Sequence, residues 1–106
     1  MSWPDDDDGG VMRRLEAHEF DFSAEHEIDF NVDFFEWPPS QDAVDRLRPF
    51  GKLELFAPDE ESPGYVQIQV RSRVTYEVVT SMQRRVSNAM APYGGICESW
   101  GVMQAP

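Results

Sequence analysis

Residues 27–36 alternate between apolar and polar side chains, and no other pattern in the chain limits the possible folds as strongly. In an extended chain, successive side chains point to opposite sides. One side would carry Ile28, Phe30, Val32 and Phe34, and the other would carry Asp29, Asn31, Asp33 and Phe35. This pattern predicts a half-buried β-strand with an acidic outer face.

Helical periodicity and turn residues divide the rest of the chain into further elements. Ser40 and Thr75 are suited to be helix N-caps, and Pro49 and Gly51 would end the helix that Ser40 begins. The predicted elements are a helix over 10–18, a helix after Ser40, strands over 52–57 and 65–73 that form a hairpin, a helix over 76–90 and a strand over 96–104. In the long helix, Arg84, Arg85 and Ser87 are expected to face solvent.

The order of these elements is a helix followed by β-α-β-β-α-β. This order predicts an α+β fold of the ferredoxin-like, split βαβ type. Such a fold has a four-stranded antiparallel sheet with two helices on one face, to which this chain adds a short N-terminal helix. The 106 residues are expected to form a single domain over 1–106, with an acidic and flexible start over residues 1–8.

Acidic residues dominate the charge of the chain and concentrate in its first half. Twenty Asp and Glu against nine Lys and Arg give a formal net charge of −11, and residues 1–62 carry 18 of the acids. Such a charge repels nucleic acid phosphates and anionic lipid headgroups, and it favours a basic protein partner. The sequence also has no export signal and no apolar run of roughly 18 residues, so we expect a cytoplasmic protein that binds neither membrane nor nucleic acid directly.

No combination of residues predicts catalysis, a metal site or a cofactor. Cys97 is the only cysteine and is expected to be a buried, inert thiol. The pair His18 and His26 would need further ligands to hold a metal. The run Asp5-Asp6-Asp7-Asp8 matches a calcium loop only in part, because Gly9 stands where a ligand is needed, and it is expected to be a solvated segment that caps the first helix. We therefore expect a protein that is not an enzyme.

The predicted binding site consists of Asp29, Asp33, Phe35 and Trp37. If the apolar residues of the first strand fill the core, Phe35 shares the outer face with the two acids and Trp37 follows near the sheet edge. Aromatic side chains ringed by charge are typical of a protein-binding patch. In the alternative interpretation, the first helix or Trp3 covers this face and makes Phe35 and Trp37 a second core layer.

Three short segments, in their order, resemble a known family. They are Asp-Asp-Asp-Asp-Gly-Gly at 5–10, Glu-Ile-Asp-Phe at 27–30 and Gly-Gly-Ile-Cys-Glu-Ser-Trp-Gly at 94–101. The chain resembles the RraB family, the regulators of ribonuclease activity B, over nearly its whole length. The resemblance implies a ferredoxin-like fold and an inhibitor that docks on the basic scaffold region of ribonuclease E and alters the composition of the RNA degradosome.

Two other function classes remain open at the level of sequence. One is a small-molecule or metal-binding module that uses the open sheet face or the Asp5 to Asp8 run. The other is a self-associating structural module, since an open sheet can pair with a second copy; a monomer or a weak homodimer is expected. The leading hypothesis is an acidic regulator that binds a basic partner, with ribonuclease E suggested by the resemblance.

Overall fold

The computed structural model describes residues 3–61 and 63–102. The predicted continuation of the last strand to Gln104, the end of the chain at 105–106, and Met1 and Ser2 of the acidic start lie outside the described residues. Across the part that is described, every helix is too short or too polar to cross a membrane.

Seven main elements follow one another in the predicted order. They are α1 (Asp7–Ala17), β1 (Glu25–Phe34), α2 (Gln41–Leu47), β2 (Lys52–Phe56), β3 (Tyr65–Arg73), α3 (Tyr76–Met90) and β4 (Gly95–Val102). Short 3₁₀ turns at Arg48–Phe50 and Ala91–Tyr93 follow α2 and α3. The predicted bounds of β3 and α3 are confirmed to the residue, and the other elements differ from prediction by a few residues at their ends.

The strands form one antiparallel sheet in the order β2-β3-β1-β4, so the predicted α+β class is confirmed. The hairpin of β2 and β3 is also confirmed. The register between β1 and β4 shifts by one residue, because Asn31 lies opposite Ser99 whereas Val32 lies opposite Cys97. Glu98 is therefore the extra residue of a β-bulge, an irregularity that bends a strand and redirects a side chain.

The alternating residues of β1 divide as predicted between the core and the outer side of the sheet. Phe30 is fully buried and lies between Ile68 of β3 and Trp100 of β4. Buried residues from all three helices join the same core: Met12, Ala43, Leu47, Val79, Met82, Val86 and Met90. Side chains directly opposite each other on neighbouring strands lie on the same side of the sheet. The residues that alternate with these buried ones therefore lie together on the side away from the core, which carries the polar residues of every strand.

Side-chain oxygens begin all three helices. The hydroxyls of Ser40 and Thr75 accept hydrogen bonds from the backbone N–H groups of Ala43 and Val78, at 3.2 and 3.0 Å, which confirms both predicted N-caps. Helix α1 begins three residues earlier than predicted, because Asp6 accepts a 2.7 Å hydrogen bond from the N–H of Gly9. The acidic run is thus the cap and first turn of a helix, where carboxylates oppose the helix dipole.

The expectation that Ser87 faces solvent is wrong. Its hydroxyl accepts a 2.9 Å hydrogen bond from the N–H of Cys97 and donates one of 3.2 Å to the carbonyl oxygen of the same residue. Strand β4 lies at the edge of the sheet, so its outward backbone groups have no neighbouring strand. Ser87 satisfies two of these groups and ties α3 to the edge strand.

Candidate functional site

The polar side of the sheet is defined here by the rows of residues that lie opposite one another on the outer side of the four strands. Its rows are Glu27–Arg71, Lys52–Gln69–Asp29–Gly101, Glu54–Gln67–Asn31–Ser99 and Phe56–Tyr65–Asp33–Ile96. Asp29 and Asp33 both lie on this side, four residues apart on the strand next to the edge. At about 3.3 Å of rise per residue, their α-carbons are ~13 Å apart.

Side-chain amides join the middle of the polar side. The amide of Gln69 donates to Gln67 at 3.2 Å, Gln67 donates to Asn31 at 3.4 Å, and Asn31 donates to the hydroxyl of Ser99 at 3.2 Å. This chain of hydrogen bonds crosses from β3 to β1 and on to β4. It fixes side chains on both flanks of β1, so the surface that a partner would meet is largely preformed.

Both predicted acids are held in an environment that disfavours their charge. Partial burial, followed by the charges of Glu27 and Glu54, raises the pKa of Asp29 above its ordinary value. Partial burial, followed by the charge of Glu98, raises the pKa of Asp33. One carboxylate oxygen of Asp29 is shielded from solvent and has no hydrogen-bond partner. A cation from outside the chain would relieve this repulsion.

Phe35 is the most exposed large apolar side chain of the described residues, with 91% of its surface accessible. Its backbone N–H donates a 3.0 Å hydrogen bond to the carbonyl oxygen of Gly94, and its ring lies beside that glycine. Trp3 packs against Phe22 instead, at 5.6 Å between ring centroids. The alternative interpretation, in which Trp3 or α1 makes Phe35 and Trp37 a second core layer, is therefore wrong for Phe35.

Trp37 differs from Phe35, because it is half-buried and packs against the edge of the core. A β-carbon added to Gly64 would come within 2.5 Å of the Trp37 ring, so the backbone of residue 64 lies directly against the indole. Asp29, Asp33 and Phe35 belong to the strand β1 and its end, whereas Trp37 lies in the turn that follows. The binding role of all four residues stays a prediction.

The structure adds apolar residues to the site that the sequence analysis did not single out. The rings of Phe56 and Tyr65 stack at 4.8 Å and an interplanar angle of 17°, in the same row as Asp33. Ile96, at the other end of this row, is 41% exposed. Alternation along the predicted hairpin could have identified Phe56 and Tyr65, since both face away from the apolar residues of their strands. The bulge at Glu98 has no comparable sequence signal.

The four-aspartate run makes contacts within the fold. The Oδ1 atom of Asp8 accepts hydrogen bonds from the indole N–H of Trp100 at 2.9 Å and from the amide of Gln83 at 3.1 Å. Asp6 accepts from the hydroxyl of Tyr76, which lowers the pKa of Asp6. Because residues 7–17 are helical, the run does not adopt the loop that a calcium site of the EF-hand type requires. Within residues 3–61 and 63–102, no three His, Cys, Asp or Glu side chains are grouped as metal ligands.

Cys97 is 4% exposed, as predicted for a buried thiol. Burial, followed by the charges of Asp33 and Asp8, raises the pKa of this thiol to about 12. The thiol therefore stays protonated at neutral pH, and a protonated thiol is a poor nucleophile. The arrangement around Cys97 serves packing, and it supplies no activated group for covalent chemistry.

The model of one protein family, described as the regulator of ribonuclease activity B, or RraB, matches residues 5–102. The chain belongs to the RraB family. The resemblance predicted from residues 5–10, 27–30 and 94–101 is thereby confirmed, and the RraB match spans the polar side of the sheet, Phe35 and the aspartate run. RraB is a family of regulators of ribonuclease activity and not a family of enzymes. No curated protein and no solved structure matches the chain.

Proposed function

We propose that this RraB-family protein regulates a ribonuclease by binding a basic protein segment on the polar side of its sheet. Ribonuclease E, which the family resemblance implies, is the proposed target. One observation carries the proposal: Asp33, an acid of β1 whose pKa is raised, lines the same small cavity as an almost fully exposed Phe35. This combination of uncompensated negative charge and an accessible aromatic ring suits a partner rich in arginine or lysine.

The proposed residues have different tasks. Asp29 and Asp33 attract the basic segment and raise its association rate, since complementary charge acts mainly on diffusional encounter. Phe35 packs against the partner after contact and slows dissociation. Trp37, which is half-buried, is proposed to hold the turn that follows Phe35 and to contact the partner only at its margin.

Open space beside Asp29 supports docking of an extended segment. Gly101 lies opposite Asp29 on β4, and a β-carbon added there would meet no atom within 4 Å. A glycine in a strand often marks a place where another chain approaches closely. The order of the strands supports the proposal that the fold is ferredoxin-like, with helices covering one face of the sheet and the polar side left to the partner.

The proposed mode of action is binding without chemistry. The protein would occupy a basic region of the nuclease in the cytoplasm and change what that region recruits, and it would not touch RNA directly. Two features support this: the net charge of −11 opposes contact with phosphates, and the family consists of regulators. Two of the four arginines of the second half face acids on the neighbouring strand, since Arg71 lies opposite Glu27, and Arg73 opposite Glu25.

A ribonuclease assay with matched variants tests the proposal. Cleavage of an RNA by full-length ribonuclease E is measured with increasing amounts of the wild type, of Asp29→Asn/Asp33→Asn, and of Glu16→Gln/Glu60→Gln. The last pair also removes two charges, from exposed positions outside the four strands, in α1 and in the loop between β2 and β3. The wild type and the control should reduce cleavage, and the sheet variant should require a higher concentration. Equal activity of both variants would contradict the proposed site, and no effect of the wild type would contradict the target.

A further inference from the structure

The end of the polar side near Phe35 combines two carboxylates with apolar surface. Asp33 and Ile96 lie directly opposite each other, and Phe35 follows two residues after Asp33. A small cavity of about 80 Å³ is lined by Asp33, Phe34, Phe35, Gly94 and Ile96. This volume is well below the ~300 Å³ of a small-molecule pocket, so the cavity suits one side chain of a partner better than a separate ligand.

The β-bulge brings a second acid to this end of the sheet. Glu98 is the extra residue of the bulge, and it is close enough to Asp33 for its charge to raise the pKa of that residue. Neither carboxylate forms an ion pair or a hydrogen bond with another side chain of the described residues. Asp33 thus lies between a second acid on one side, without a paired cation, and on the other side a ring that is almost wholly exposed.

The geometry of a guanidinium group matches this combination better than that of an ammonium group. A guanidinium is planar, has five N–H donors in a fixed arrangement that matches a carboxylate, and is weakly enough hydrated to lie on an aromatic face. A lysine ammonium is a compact point charge that keeps its water more strongly. Carboxylates alone would attract either cation, whereas Phe35 adds a contact that favours arginine.

From this arrangement we infer that Asp33 and Phe35 form an arginine-selective subsite, in which the partner's guanidinium lies on the Phe35 ring and donates to the Asp33 carboxylate, while Glu98, on the other side of Asp33, adds negative charge. Ile96 borders the subsite and covers the aliphatic part of the arginine side chain. The inference rests on the proposed function, since it names the residue type that the basic segment presents. A surface that binds through charge alone would not distinguish arginine from lysine, and the subsite adds a preference for arginine.

Two peptides of equal length and charge test the subsite. One alternates arginine with serine and the other alternates lysine with serine, so that in extended form the basic side chains point to one side. The affinity of each for the full chain is measured by isothermal titration or surface plasmon resonance at low salt. The wild type should bind the arginine peptide roughly tenfold more tightly than the lysine peptide, as a desolvated cation–aromatic contact allows.

Variants of exposed residues identify the source of the selectivity. Phe35→Leu and Asp33→Asn/Glu98→Gln should both bring the ratio of the two affinities to within about twofold, whereas Phe35→Trp should retain it. Glu16→Gln/Glu60→Gln should weaken both peptides equally and leave the ratio unchanged. Melting curves of each variant verify that the fold is intact.

The outcomes separate the subsite from the wider proposal. Equal affinity of the wild type for both peptides would overturn the arginine subsite while leaving the basic partner in place. A tenfold ratio that survives in Phe35→Leu and in Asp33→Asn/Glu98→Gln would also overturn it, because the selectivity would then arise elsewhere. Absence of binding to either peptide would overturn the subsite and the proposed function together.

Discussion

The indole N–H of Trp100 donates a 2.9 Å hydrogen bond to the Oδ1 atom of Asp8, 92 residues earlier in the chain. Gln83 of α3 donates to the same oxygen at 3.1 Å, so Asp8 joins α1 to both α3 and β4. Part of the acidic start therefore has a structural role. The flexibility expected of residues 1–8 stays a prediction. Because Asp8 is engaged within the fold, the acids on the polar side of the sheet are the better candidates for contact with a partner.

Asp8→Ala is expected to destabilise the fold, because the indole N–H of Trp100 loses its acceptor and the amide of Gln83 keeps only the carbonyl of Val79. The expected loss in the free energy of unfolding is about 1 to 3 kcal/mol, the usual penalty for an unsatisfied buried polar group. Urea denaturation followed by tryptophan fluorescence measures it. Asp7→Ala is the matched control, since Asp7 is exposed in the same turn and should cost at most about 1 kcal/mol through the helix dipole. Equal losses in the two variants would show that the shared acceptor is unimportant.

Ser87→Ala is expected to expose the edge of β4. The N–H and carbonyl groups of Cys97 would lose their partner, and the expected cost is about 1 to 3 kcal/mol of unfolding free energy. Amide hydrogen exchange at Cys97 should accelerate more than exchange in β3. Ser81→Ala, at another half-buried position of α3, controls for the general effect of the substitution. Unchanged protection of the Cys97 amide would contradict this role of Ser87.

Asp33→Asn is expected to stabilise the protein while it weakens binding. Burial and the charge of Glu98 raise the pKa of Asp33, so the charged form is less favourable in the fold than in the unfolded chain. The protonated carboxyl of Asp33 therefore favours the folded state. This contribution to stability is fully present below the pKa of Asp33 in the unfolded chain and is lost as the pH rises through its pKa in the folded protein. The melting temperature of Asp33→Asn should therefore exceed that of the wild type near neutral pH, and the difference should vanish below the unfolded pKa.

Asp42→Asn is the control for this stability measurement, because it is expected to change the melting temperature in the opposite direction. Asp42 is exposed in the first turn of α2, where a carboxylate favours the helix dipole, so its removal should lower the melting temperature slightly. If Asp33→Asn also lowers the melting temperature near neutral pH, the charge of Asp33 stabilises the fold. Asp33 would then not be an acid whose charge lowers the stability of the free protein.

The thiol of Cys97 is expected to react only when the protein unfolds. Its pKa of about 12 exceeds the ordinary value of 9.0, so unfolding at alkaline pH releases a proton and stability should fall as pH rises above about 9. A thiol reagent at mildly alkaline pH should label the native protein slowly, and the rate should rise with urea in proportion to the unfolded fraction. Rapid labelling without urea would contradict the burial of this side chain.

Local sequence signals were sufficient for most of the fold. The alternation in β1, the caps at Ser40 and Thr75, and the periodicity of α3 each act within a few residues, so sequence alone predicted the elements and their order. The capping role expected of the aspartate run is filled by Asp6, but the apolar pattern begins only at Val11 and so predicts the start of α1 three residues too late. Helix ends depend on caps more than on apolar spacing.

Contacts between distant parts of the chain could not be predicted in the same way. From its helical spacing alone, Ser87 is predicted to be exposed, and its partner Cys97 belongs to another element. Asp8 is likewise predicted to be solvated, and its partners Trp100 and Gln83 are distant in sequence. For the candidate site, alternation predicted the side on which Asp29, Asp33 and Phe35 lie. It gave no information on Glu98, because the bulge that redirects this residue depends on the pairing of β4 with β1.

If the polar side of the sheet contacts the basic partner, side-chain amide resonances on that surface report the contact directly. In a nitrogen-15 NMR titration with the arginine–serine peptide, the NH₂ signals of Asn31, Gln67 and Gln69 should shift, because these groups form the network on the polar side. The NH₂ signals of Gln41, bonded within α2, and of Gln83, bonded to Asp8, should stay in place. Shifts confined to Gln41 and Gln83, with Asn31, Gln67 and Gln69 unchanged at saturation, would show that the peptide does not bind on the polar side of the sheet.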